Sequence, residues 1–381
     1  MSKKYKINVN YDIYSEEDFL KDCPNSQFIP TILPPVKRII AIGDIHGDLE
    51  LSIRSFKLAN LIDNNLNWIA NPPDTVVVQV GDQIDSYRPN YPKNVCRKKH
   101  DLDDRPDDIN VINFFDEMHK KASKVGGAVY SLIGNHELMN VMGDFRYVSN
   151  ENLYNFKYFS NGKIYLGKKG RKDAFKPGGP LAKHIACTRN SVIIIGSTMF
   201  VHAGILPALV KQLEYLEIDN QTKLKYLNAI VRKWLLHKLT ERAKISKKVN
   251  ISKRVISSII NDANLSPFWT RIFGLIPEGK ELNSPECFES IKETLEVFKI
   301  GHIVVGHTPQ FFTSNDGING TCYEKDSYRL YRIDGGFSRA FGISSKNRNI
   351  QVLEITDDKN FNIIEEKISD KRISKFIKSG R

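Results

Sequence analysis

Residues 38–48 read RIIAIGDIHGD, and this stretch decides the fold class. An isoleucine-rich run stops abruptly at a Gly-Asp turn, and the turn also carries His46. A short continuous apolar run bounded by turn residues is typical of a strand that is buried on both faces. The stretch therefore predicts a buried strand whose carboxyl end presents polar side chains.

Four further apolar runs along the chain end in the same way. The runs and the polar clusters that follow them are Thr75–Val80 with GDQID (81–85), Ala128–Ile133 with GNHE (134–137), Met199–Val201 with HAG (202–204) and Ile303–Val305 with GHT (306–308). Helical patterns occupy Leu49–Leu61 and Ile109–Val125 between them. Strands that alternate with helices predict an α/β layered fold, and active sites of such folds lie at the carboxyl ends of the strands. We therefore expect the polar clusters to meet at one edge.

The clusters contain the donors of a dinuclear metal site. The candidate ligands are Asp44, His46, Asp82, Asn135, His202 and His307. Nitrogen and oxygen donors without a thiolate suit manganese, iron, zinc or magnesium. Six ligands exceed the needs of one tetrahedral ion, so we predict two divalent metal ions bridged by Asp82, with manganese expected in vitro and iron or zinc as alternatives. Two ions about 3.5–4 Å apart can hold a shared hydroxide that attacks phosphorus in line.

His136 and Asp85 are the remaining polar residues of the clusters that we expect to act in catalysis. His136 directly follows a predicted ligand, so its ring lies near the metals without binding the same ion. We predict that it acts as general acid and protonates the leaving oxygen. Asp85 is predicted to orient the imidazole and to keep it charged.

The excess of basic residues is concentrated in two segments. The chain has 381 residues and a net charge of +12. Residues 232–254 carry nine basic residues and one acidic residue, and residues 366–381 carry six basic and two acidic residues, so the two segments account for the whole excess (8 + 4). A nucleic-acid-binding domain would spread its charge over a face of the fold. We therefore expect an acidic protein partner at these segments, and we do not expect nucleic acid.

Cysteine usage and hydropathy give the expected compartment. The cysteines are Cys23, Cys96, Cys187, Cys287 and Cys322, an odd number without CxxC spacing. This pattern indicates neither a disulfide framework nor a zinc site, and it predicts a cytoplasmic or other reducing intracellular compartment. No window of 18 residues is continuously apolar, so no membrane span or membrane partner is expected.

The pattern along the chain divides it into a catalytic domain and two extensions. Residues 1–36 are predicted to be an irregular N-terminal extension, residues 37–365 the catalytic domain, and residues 366–381 a basic C-terminal tail. Within the domain, residues 86–108 are charged and proline-containing, which predicts a loop. Residues of about 207–265 have few turn signals and are predicted to be a helical insertion.

The ordered motifs resemble those of the calcineurin-like metallophosphoesterases, specifically the phosphoprotein phosphatase branch. Further segments are similar to the Shewanella-like protein phosphatases, namely GNHELMNVMGDFRYV (134–148), SPFWTR (266–271), VGHTPQ (305–310) and RIDGGFSRA (332–340). The resemblance implies a central mixed β-sandwich flanked by helices, with the dimetal site at one edge. It also implies Asp44 and His46 on one ion, and the other ligands on the second ion, around the bridging Asp82.

The resemblance also implies arginine residues that grip the phosphate. The family usually has arginine directly after Asp85, whereas this chain has Ser86 there and Arg88 two residues later. Arg146 and Arg271 match other family landmarks near the phosphate. A guanidinium group binds phosphate oxygens in bidentate fashion, so these three arginines are the candidate phosphate-binding residues.

Taken together, the sequence predicts a dimetal-dependent phosphomonoesterase, with a phosphoprotein or phosphopeptide as substrate. The scissile group is phosphoserine, phosphothreonine or phosphotyrosine, and the expected mechanism is in-line attack by the bridging hydroxide. A dinucleoside polyphosphate or nucleotide hydrolase of the same superfamily is one alternative. A basic nucleic-acid-binding protein with a vestigial metal site is another, and its binding would depend strongly on salt.

Overall fold

Helices and strands alternate through most of the chain, as the sequence predicts. A computed structural model describes residues 14–89, 104–213, 218–239, 243–246, 249–251, 253–276, 285–313, 317–341 and 349–366. The helices are α1 (Glu16–Asp22), α2 (Leu49–Leu58), α3 (Asp108–Ser123), α4 (Asn135–Met142), α5 (Asn150–Tyr154), α6 (Gly167–Phe175), α7 (Pro180–Thr188), α8 (Pro207–Lys211), α9 (Asn220–Leu235), α10 (Lys253–Asn261), α11 (Ile272–Leu275) and α12 (Pro285–Phe298). The strands are β1 (Ile32–Leu33), β2 (Arg38–Ile42), β3 (Val76–Gln79), β4 (Ala128–Leu132), β5 (Lys157–Ser160), β6 (Lys163–Leu166), β7 (Arg189–Asn190), β8 (Val192–Ile195), β9 (Thr198–Val201), β10 (Ala243–Ser246), β11 (Val249–Ile251), β12 (His302–Val305), β13 (Asn319–Glu324), β14 (Ser327–Arg332), β15 (Gln351–Thr356) and β16 (Asn360–Glu365).

Two mixed sheets form the centre of the fold. One has the strand order β16-β15-β2-β3-β4-β7, and the other has the order β1-β8-β9-β12-β14-β13. The neighbours β2, β3 and β4 run parallel in the first sheet, as do β9, β12 and β14 in the second. A common core joins the inner faces, with Ile39 and Val78 from one sheet and Phe200 and Val304 from the other. The predicted mixed β-sandwich is therefore confirmed.

Helices cover the outer faces of the sandwich. Phe56 of α2 and Phe115 of α3 belong to one outer core together with Val77 of β3. Ile230 of α9 and Ile291 of α12 belong to the core on the other side. Among the helices that the structure describes, none combines the length and hydropathy that a membrane span requires. The layered arrangement leaves the inner strands buried on both faces, which explains their continuous apolar sequences.

The first part of the N-terminal extension is more regular than its sequence predicts. Residues 14–36 contain the helix α1 and the strand β1, and β1 pairs in parallel with β8. Ser15 caps α1 because its hydroxyl accepts from the amide of Asp18, whose carboxylate accepts in turn from the Ser15 amide. This capping box fixes a helix too short to show a clear apolar period. The prediction of an irregular segment is therefore wrong for residues 14–36.

The insertion at about 207–265 is largely helical, but it also contains a β-ribbon. Helices α8, α9 and α10 lie in this segment, whereas β10 and β11 form an antiparallel pair between α9 and α10. The alternation of Ile245, Val249 and Ile251 with polar residues is a strand pattern. The purely helical prediction is corrected accordingly. Residues 90–103 of the predicted loop lie outside the described residues, and α3 begins where that loop was predicted to end.

Two disulfides overturn the prediction drawn from the cysteines. Cys23 is bonded to Cys187, and Cys287 is bonded to Cys322. The first pair is 164 residues apart in sequence, so no local spacing could indicate it. Disulfides are characteristic of oxidising compartments, so the prediction of a reducing compartment loses the observation on which it rested.

The beginning of the basic segment 232–254 is used within the fold. Arg232 is buried and donates to the carbonyl oxygen of Ala186 and to Oδ1 of Asn190. Lys233 and Lys238 both form ion pairs with Asp22, the last residue of α1. Lys233 and Lys238 therefore hold the N-terminal helix, and Arg232 is used inside the fold. The predicted tail lies outside the described residues beyond its first residue.

Candidate metal centre and catalytic site

The predicted ligands lie at the carboxyl ends of parallel strands from both sheets. Asp44 and His46 follow β2, Asp82 follows β3, and Asn135 opens α4 directly after β4. His202 follows β9 and His307 follows β12 in the other sheet. Each of the six side chains belongs to a buried residue. The sandwich therefore brings residues of five separate segments to one edge.

Two groups of side chains that could hold a metal ion share Asp82. One of them contains His136, which was not predicted as a ligand, and neither contains the predicted ligand Asp44. Ligand atoms of His46, Asp82 and His136 lie within 4.8 Å of one another. Those of Asp82, His202 and His307 also lie within 4.8 Å of one another. A carboxylate common to two neighbouring groups is the arrangement required of a bridging ligand.

Asn135 joins the two histidines of the second group. Its Oδ1 lies 2.9 Å from Nε2 of His202 and 2.9 Å from Nδ1 of His307. The other nitrogen of each ring faces a backbone carbonyl, that of Val80 for His202 and that of Trp269 for His307. Such hydrogen bonds fix the ring orientation of a metal-binding histidine.

The site contains several strained backbone positions. Four non-glycine residues of the clusters have positive φ: His46 (49°), Asp82 (55°), Asp85 (75°) and His307 (67°). Such conformations are costly for residues with a Cβ, and they persist where the surrounding structure enforces them. The strained turns lie at the edge of the sandwich where the candidate ligands meet.

Two glycines allow the carboxylates to approach the backbone. A Cβ on Gly134 would lie 2.2 Å from Oδ1 of Asp82, and a Cβ on Gly306 would lie 2.3 Å from Oδ1 of Asp44. Neither distance is compatible with a side chain. The GNHE and GHT motifs therefore need glycine at these positions for steric reasons.

The site holds more negative charge than its burial would favour. Burial and the neighbouring carboxylates of Asp334 and Asp82 raise the pKa of Asp44 well above its ordinary range. Burial likewise raises the pKa of Asp334, to about 6. For Asp82, burial acts in the same direction, but the imidazoles of His202 and His136 outweigh it and hold its pKa low. Clustered buried carboxylates of this kind call for cations.

Two of the three candidate histidine ligands are shifted towards the neutral form. Burial, with the positive charge of Arg88 nearby, lowers the pKa of His46 well below its usual value. Burial and the neighbouring His202 do the same for His307. For His202, burial acts in the same direction, but the carboxylate of Asp82 outweighs it and raises the pKa of that imidazole. A neutral imidazole is the form that ligates a metal ion. The donor types, the crowded carboxylates and the shared Asp82 therefore fit a pair of divalent cations.

His136 and Asp85 form the pair that the sequence predicts. Nδ1 of His136 lies 2.8 Å from Oδ2 of Asp85, while Nε2 faces Asp82 at 3.8 Å from its Oδ2. Asn140, one turn further along α4, donates from Nδ2 to both oxygens of Asp85. With Nδ1 engaged, Nε2 is the nitrogen that His136 presents to the metal-ligand side chains.

A buried arginine that the sequence reasoning missed supports this pair. Nη2 of Arg171 lies 3.2 Å from Oδ1 of Asp85 and 2.7 Å from Oδ2 of Asp108. Asp108 in turn accepts the backbone amide of Asp85 on Oδ1. Arg171 lies on α6, in a lysine-rich stretch whose only local signal is the small Gly170 beside it. Asp334, which follows β14, was also missed, although its place after a strand was a usable signal.

Glu137 ties two of the loops together without facing the ligands. Its Oε2 accepts the amides of Asp82 and Gly134, and its Oε1 accepts the amide of Gln83. The carboxylate therefore holds the turn after β3 against the start of α4. The Asp82 backbone owes its position partly to this residue.

The structure places the three candidate arginines differently. Arg88 lines the cavity above the ligands, and its Nη1 donates to the carbonyl oxygens of Asp85 and Tyr87. Arg271 lines the same cavity and lies beside the carbonyl of His307. Arg146 has a largely exposed side chain that is paired with Asp144, and it is not among the residues that line the cavity.

An open cavity of about 810 Å³ lies over the ligands. His46, Asp82 and His307 form part of its floor, and aromatic and aliphatic side chains such as Trp269, Leu275, Phe312 and Phe341 form part of its walls. An apolar cleft in which a few polar side chains converge is typical of sites that bind a small molecule or a side chain of another protein.

The sandwich and the ligand set at its edge define a class, the metal-dependent phosphoester hydrolases. A sequence profile described as calcineurin-like phosphoesterase matches residues 37–311. The chain belongs to this family, whose members use two metal ions. The family that the sequence motifs indicate is thereby confirmed.

Individual relatives include both uncharacterised and named proteins. The chain is 57% identical over 256 residues to an uncharacterized protein of Acanthamoeba polyphaga mimivirus, covering 67% of this chain and 98% of that protein. It is 27% identical over 386 residues to Shewanella-like protein phosphatase 2 of Arabidopsis thaliana, covering 91% of this chain and 82% of the relative. The crystal structure of a cold-active protein-tyrosine phosphatase of a psychrophilic Shewanella has the same fold, with a TM-score of 0.57, 20% identity, and coverage of 89% and 83%.

Proposed function

We propose that this chain is a dimetal-dependent phosphomonoesterase that acts on phosphoproteins. The observation that carries the proposal is the position of Asp82, whose carboxylate belongs to both groups of ligand atoms. A shared carboxylate is of little use to a single ion, but it positions two ions over one substrate group.

The proposed ligands divide around Asp82. Asp44 and His46 would hold one ion, and Asn135, His202 and His307 would hold the other. When bound, the two ions supply Lewis-acid charge for the phosphoryl oxygens and activate water for in-line attack at neutral pH. The chain's own contribution is to keep these donors buried and oriented through the backbone hydrogen bonds described above.

His136 is proposed to give the proton that the leaving oxygen needs. Its Nδ1 is held by Asp85 at 2.8 Å, so Nε2 is the atom presented to a substrate in the cavity. A proton on Nε2 can pass to the departing alkoxide or phenoxide, and the Asp85 carboxylate stabilises the imidazolium before transfer. Asn140 and Arg171 keep Asp85 in place for this role.

Arg88 and Arg271 are proposed to bind the phosphate oxygens. Both line the cavity, and Arg88 is anchored by two backbone carbonyls, which reduces the entropy lost when it binds a ligand. Its guanidinium also lies 5.1 Å from the ring centroid of Phe341 and 5.4 Å from that of Tyr147. This proposal leaves Arg146 as a partner of Asp144.

The substrate class rests on the cavity and on the relatives. The cavity is open, and its apolar walls can receive a phosphorylated side chain presented by a peptide. The Arabidopsis relative is named a protein phosphatase, and this chain covers 82% of its length. Phosphoserine, phosphothreonine and phosphotyrosine are all included in the proposal.

The test combines turnover with metal content. Purified protein with added Mn²⁺ should hydrolyse p-nitrophenyl phosphate, and Asp82→Asn should lose both turnover and bound metal. Asp74→Asn, which removes an exposed carboxylate, is the matched control and should change neither. A parent protein without turnover, together with an Asp82→Asn variant of unchanged metal content, would contradict the proposal.

A second comparison separates the substrate classes. Phosphopeptides and dinucleoside tetraphosphates should be assayed side by side under the same metal conditions. Higher kcat/KM for phosphopeptides supports the phosphoprotein proposal. Higher kcat/KM for the dinucleotides would move the chain to the nucleotide hydrolases of the same superfamily.

A further inference from the structure

The ribbon formed by β5 and β6 presents apolar side chains to solvent. Phe159 pairs across the strands with Ile164, and Leu166 pairs with Lys157. Phe159 is 65% exposed, Ile164 is 51% exposed and Leu166 is 61% exposed, and Tyr154 just before the ribbon is 63% exposed. Contiguous exposed apolar side chains of this kind mark an interaction surface.

The other face of the ribbon is used by the fold. Tyr158 and Tyr165 form a cross-strand pair, and both pack against the main hydrophobic core. Because side chains alternate along a strand, Phe159 and Ile164 must then point away from the core. Their exposure is therefore built into the register of the ribbon and is not a consequence of loose packing.

The stretch of chain that carries these apolar side chains is basic. Lys157 is exposed and lies on the same face as Phe159, opposite Leu166, whereas Lys163 lies over the ring of Tyr165 on the other face. Further exposed lysines follow on α6, namely Lys168, Lys169 and Lys172. No Asp or Glu occurs between residues 152 and 172. The flanking acids have other contacts, since Asp173 pairs with Lys176 and Glu151 accepts from Asn155. We call residues 154–172 the ribbon face.

We propose that the ribbon face binds a membrane surface that carries anionic headgroups. The apolar side chains would enter the boundary between headgroups and acyl chains, while the lysine ammonium groups bind phosphate and carboxylate groups of the lipids. The long lysine stems allow both contacts at once. This mode needs no membrane span, so it revises the expectation from the sequence that the chain has no membrane partner.

The exposures favour a lipid surface over a protein segment. A bound peptide needs a groove or a free strand edge that holds its side chains. Phe159 and Leu166 project with more than half of their surface in solvent, so they do not line a groove. Within the described residues, β5 and β6 pair only with each other, so their outer edges are open to backbone pairing. Such pairing would extend the ribbon without covering the apolar side chains that project from its face. A projecting apolar face in a basic stretch of chain matches a flat, anionic and deformable surface.

Co-sedimentation with vesicles tests the proposal. The full chain should bind vesicles of phosphatidylcholine with about 30% phosphatidylserine, should bind pure phosphatidylcholine weakly, and should be released by salt. The double variant Phe159→Ser/Ile164→Ser should lose about tenfold or more of the partitioning, because the apolar contact is removed. Its net charge is unchanged, so the basic tail cannot account for a loss.

Matched controls and contrary outcomes complete the experiment. Ile69→Ser removes a side chain of similar exposure (51%) outside the ribbon face and should bind vesicles as the parent does. All variants should turn over p-nitrophenyl phosphate like the parent, which shows that they are folded. Equal binding of the parent to both vesicle types, or of the double variant and the parent to anionic vesicles, overturns the proposal. Polyglutamate, as a soluble acidic polymer, is the probe for an acidic protein partner. A double variant that binds polyglutamate more weakly than the parent but binds anionic vesicles equally would also overturn the proposal, in favour of an acidic protein.

Discussion

Arg171 reaches from α6 to Asp85 and places Nη2 3.2 Å from its Oδ1 in a fully buried ion pair. The same nitrogen lies 2.7 Å from Oδ2 of Asp108. Asp85 also holds the His136 imidazole, so the guanidinium of Arg171, together with Asn140, helps to orient the proposed general acid. Removing only one partner of such a buried ion pair strongly destabilises the folded protein, because the other charge is left buried and unpaired.

Substitution of Arg171 should therefore affect both stability and catalysis. We expect Arg171→Gln to lower the free energy of unfolding by about 3–5 kcal/mol, since two buried carboxylates lose their cation. The kcat for p-nitrophenyl phosphate should fall, and the acidic and basic limbs of its pH profile should shift. Arg171→Lys keeps the charge without the planar fork and should recover part of kcat. Folded variants with the kcat and pH profile of the parent would exclude a positioning role.

The arginines of the cavity should differ in their effect on phosphate binding. Arg88→Ala removes a guanidinium that faces the ligand side chains, so KM for p-nitrophenyl phosphate should rise about tenfold or more. Arg146→Ala removes an exposed ion pair and should change KM by less than about twofold. Steady-state kinetics and inhibition by inorganic phosphate measure both effects. An Arg146→Ala variant that is impaired as strongly as Arg88→Ala would return Arg146 to the phosphate site.

The disulfide between Cys23 and Cys187 should stabilise the N-terminal helix on the domain. It joins residues 164 positions apart, and Asp22 beside it already binds Lys233 and Lys238. We expect Cys23→Ser/Cys187→Ser to lower the free energy of unfolding by about 2–5 kcal/mol in urea titrations. Reductant should destabilise the parent by at least as much, because it also opens the bond between Cys287 and Cys322. A parent whose unfolding is indifferent to reductant would show that the bond between Cys23 and Cys187 does not form in solution.

His302 should make stability depend on pH below neutrality. Burial, reinforced by the charge of Arg329, lowers the pKa of His302 to about 4. The unfolded chain, with a pKa of about 6.5, takes up this proton first, so stability is full above that pH and declines as the pH falls toward 4. His302→Gln should flatten this decline in urea titrations between about pH 7 and 4. An unchanged pH dependence in the variant would assign the decline to other groups.

Much of the fold could be predicted because the relevant signals are local. Strand β2 occupies the predicted range Arg38–Ile42, and β4 and β12 differ from prediction by a single residue at one end. A continuous apolar sequence indicates a buried strand, and a glycine indicates where that strand ends. The short helix α1 could not be predicted, because it depends on a capping box and on a disulfide to a distant cysteine. Neither feature produces a periodic pattern of apolar residues.

The convergence of the candidate ligands could be expected from the sequence, whereas the residues that support them could not. Asp44, His46 and Asp82 follow strands, so their convergence follows from the topology of parallel sheets. Arg171 carries no such mark, because its role arises from the packing of α6 against α4 and the start of α3. The sequence does not distinguish Arg88 from Arg146. The path of the backbone places Arg88 in the cavity and Arg146 beside Asp144.

The sequence by itself determined the layered α/β architecture, because buried strands and helices show as local patterns of apolar and polar residues. It also determined the types of the candidate ligands and their order along the chain. The tertiary structure alone decided which residues support that chemistry: Arg171 beside Asp85, Cys23 beside Cys187, and the exposed pair of Phe159 and Ile164. These are relationships between distant segments or between the faces of a ribbon. They depend on how elements pack, and a linear pattern carries no record of that.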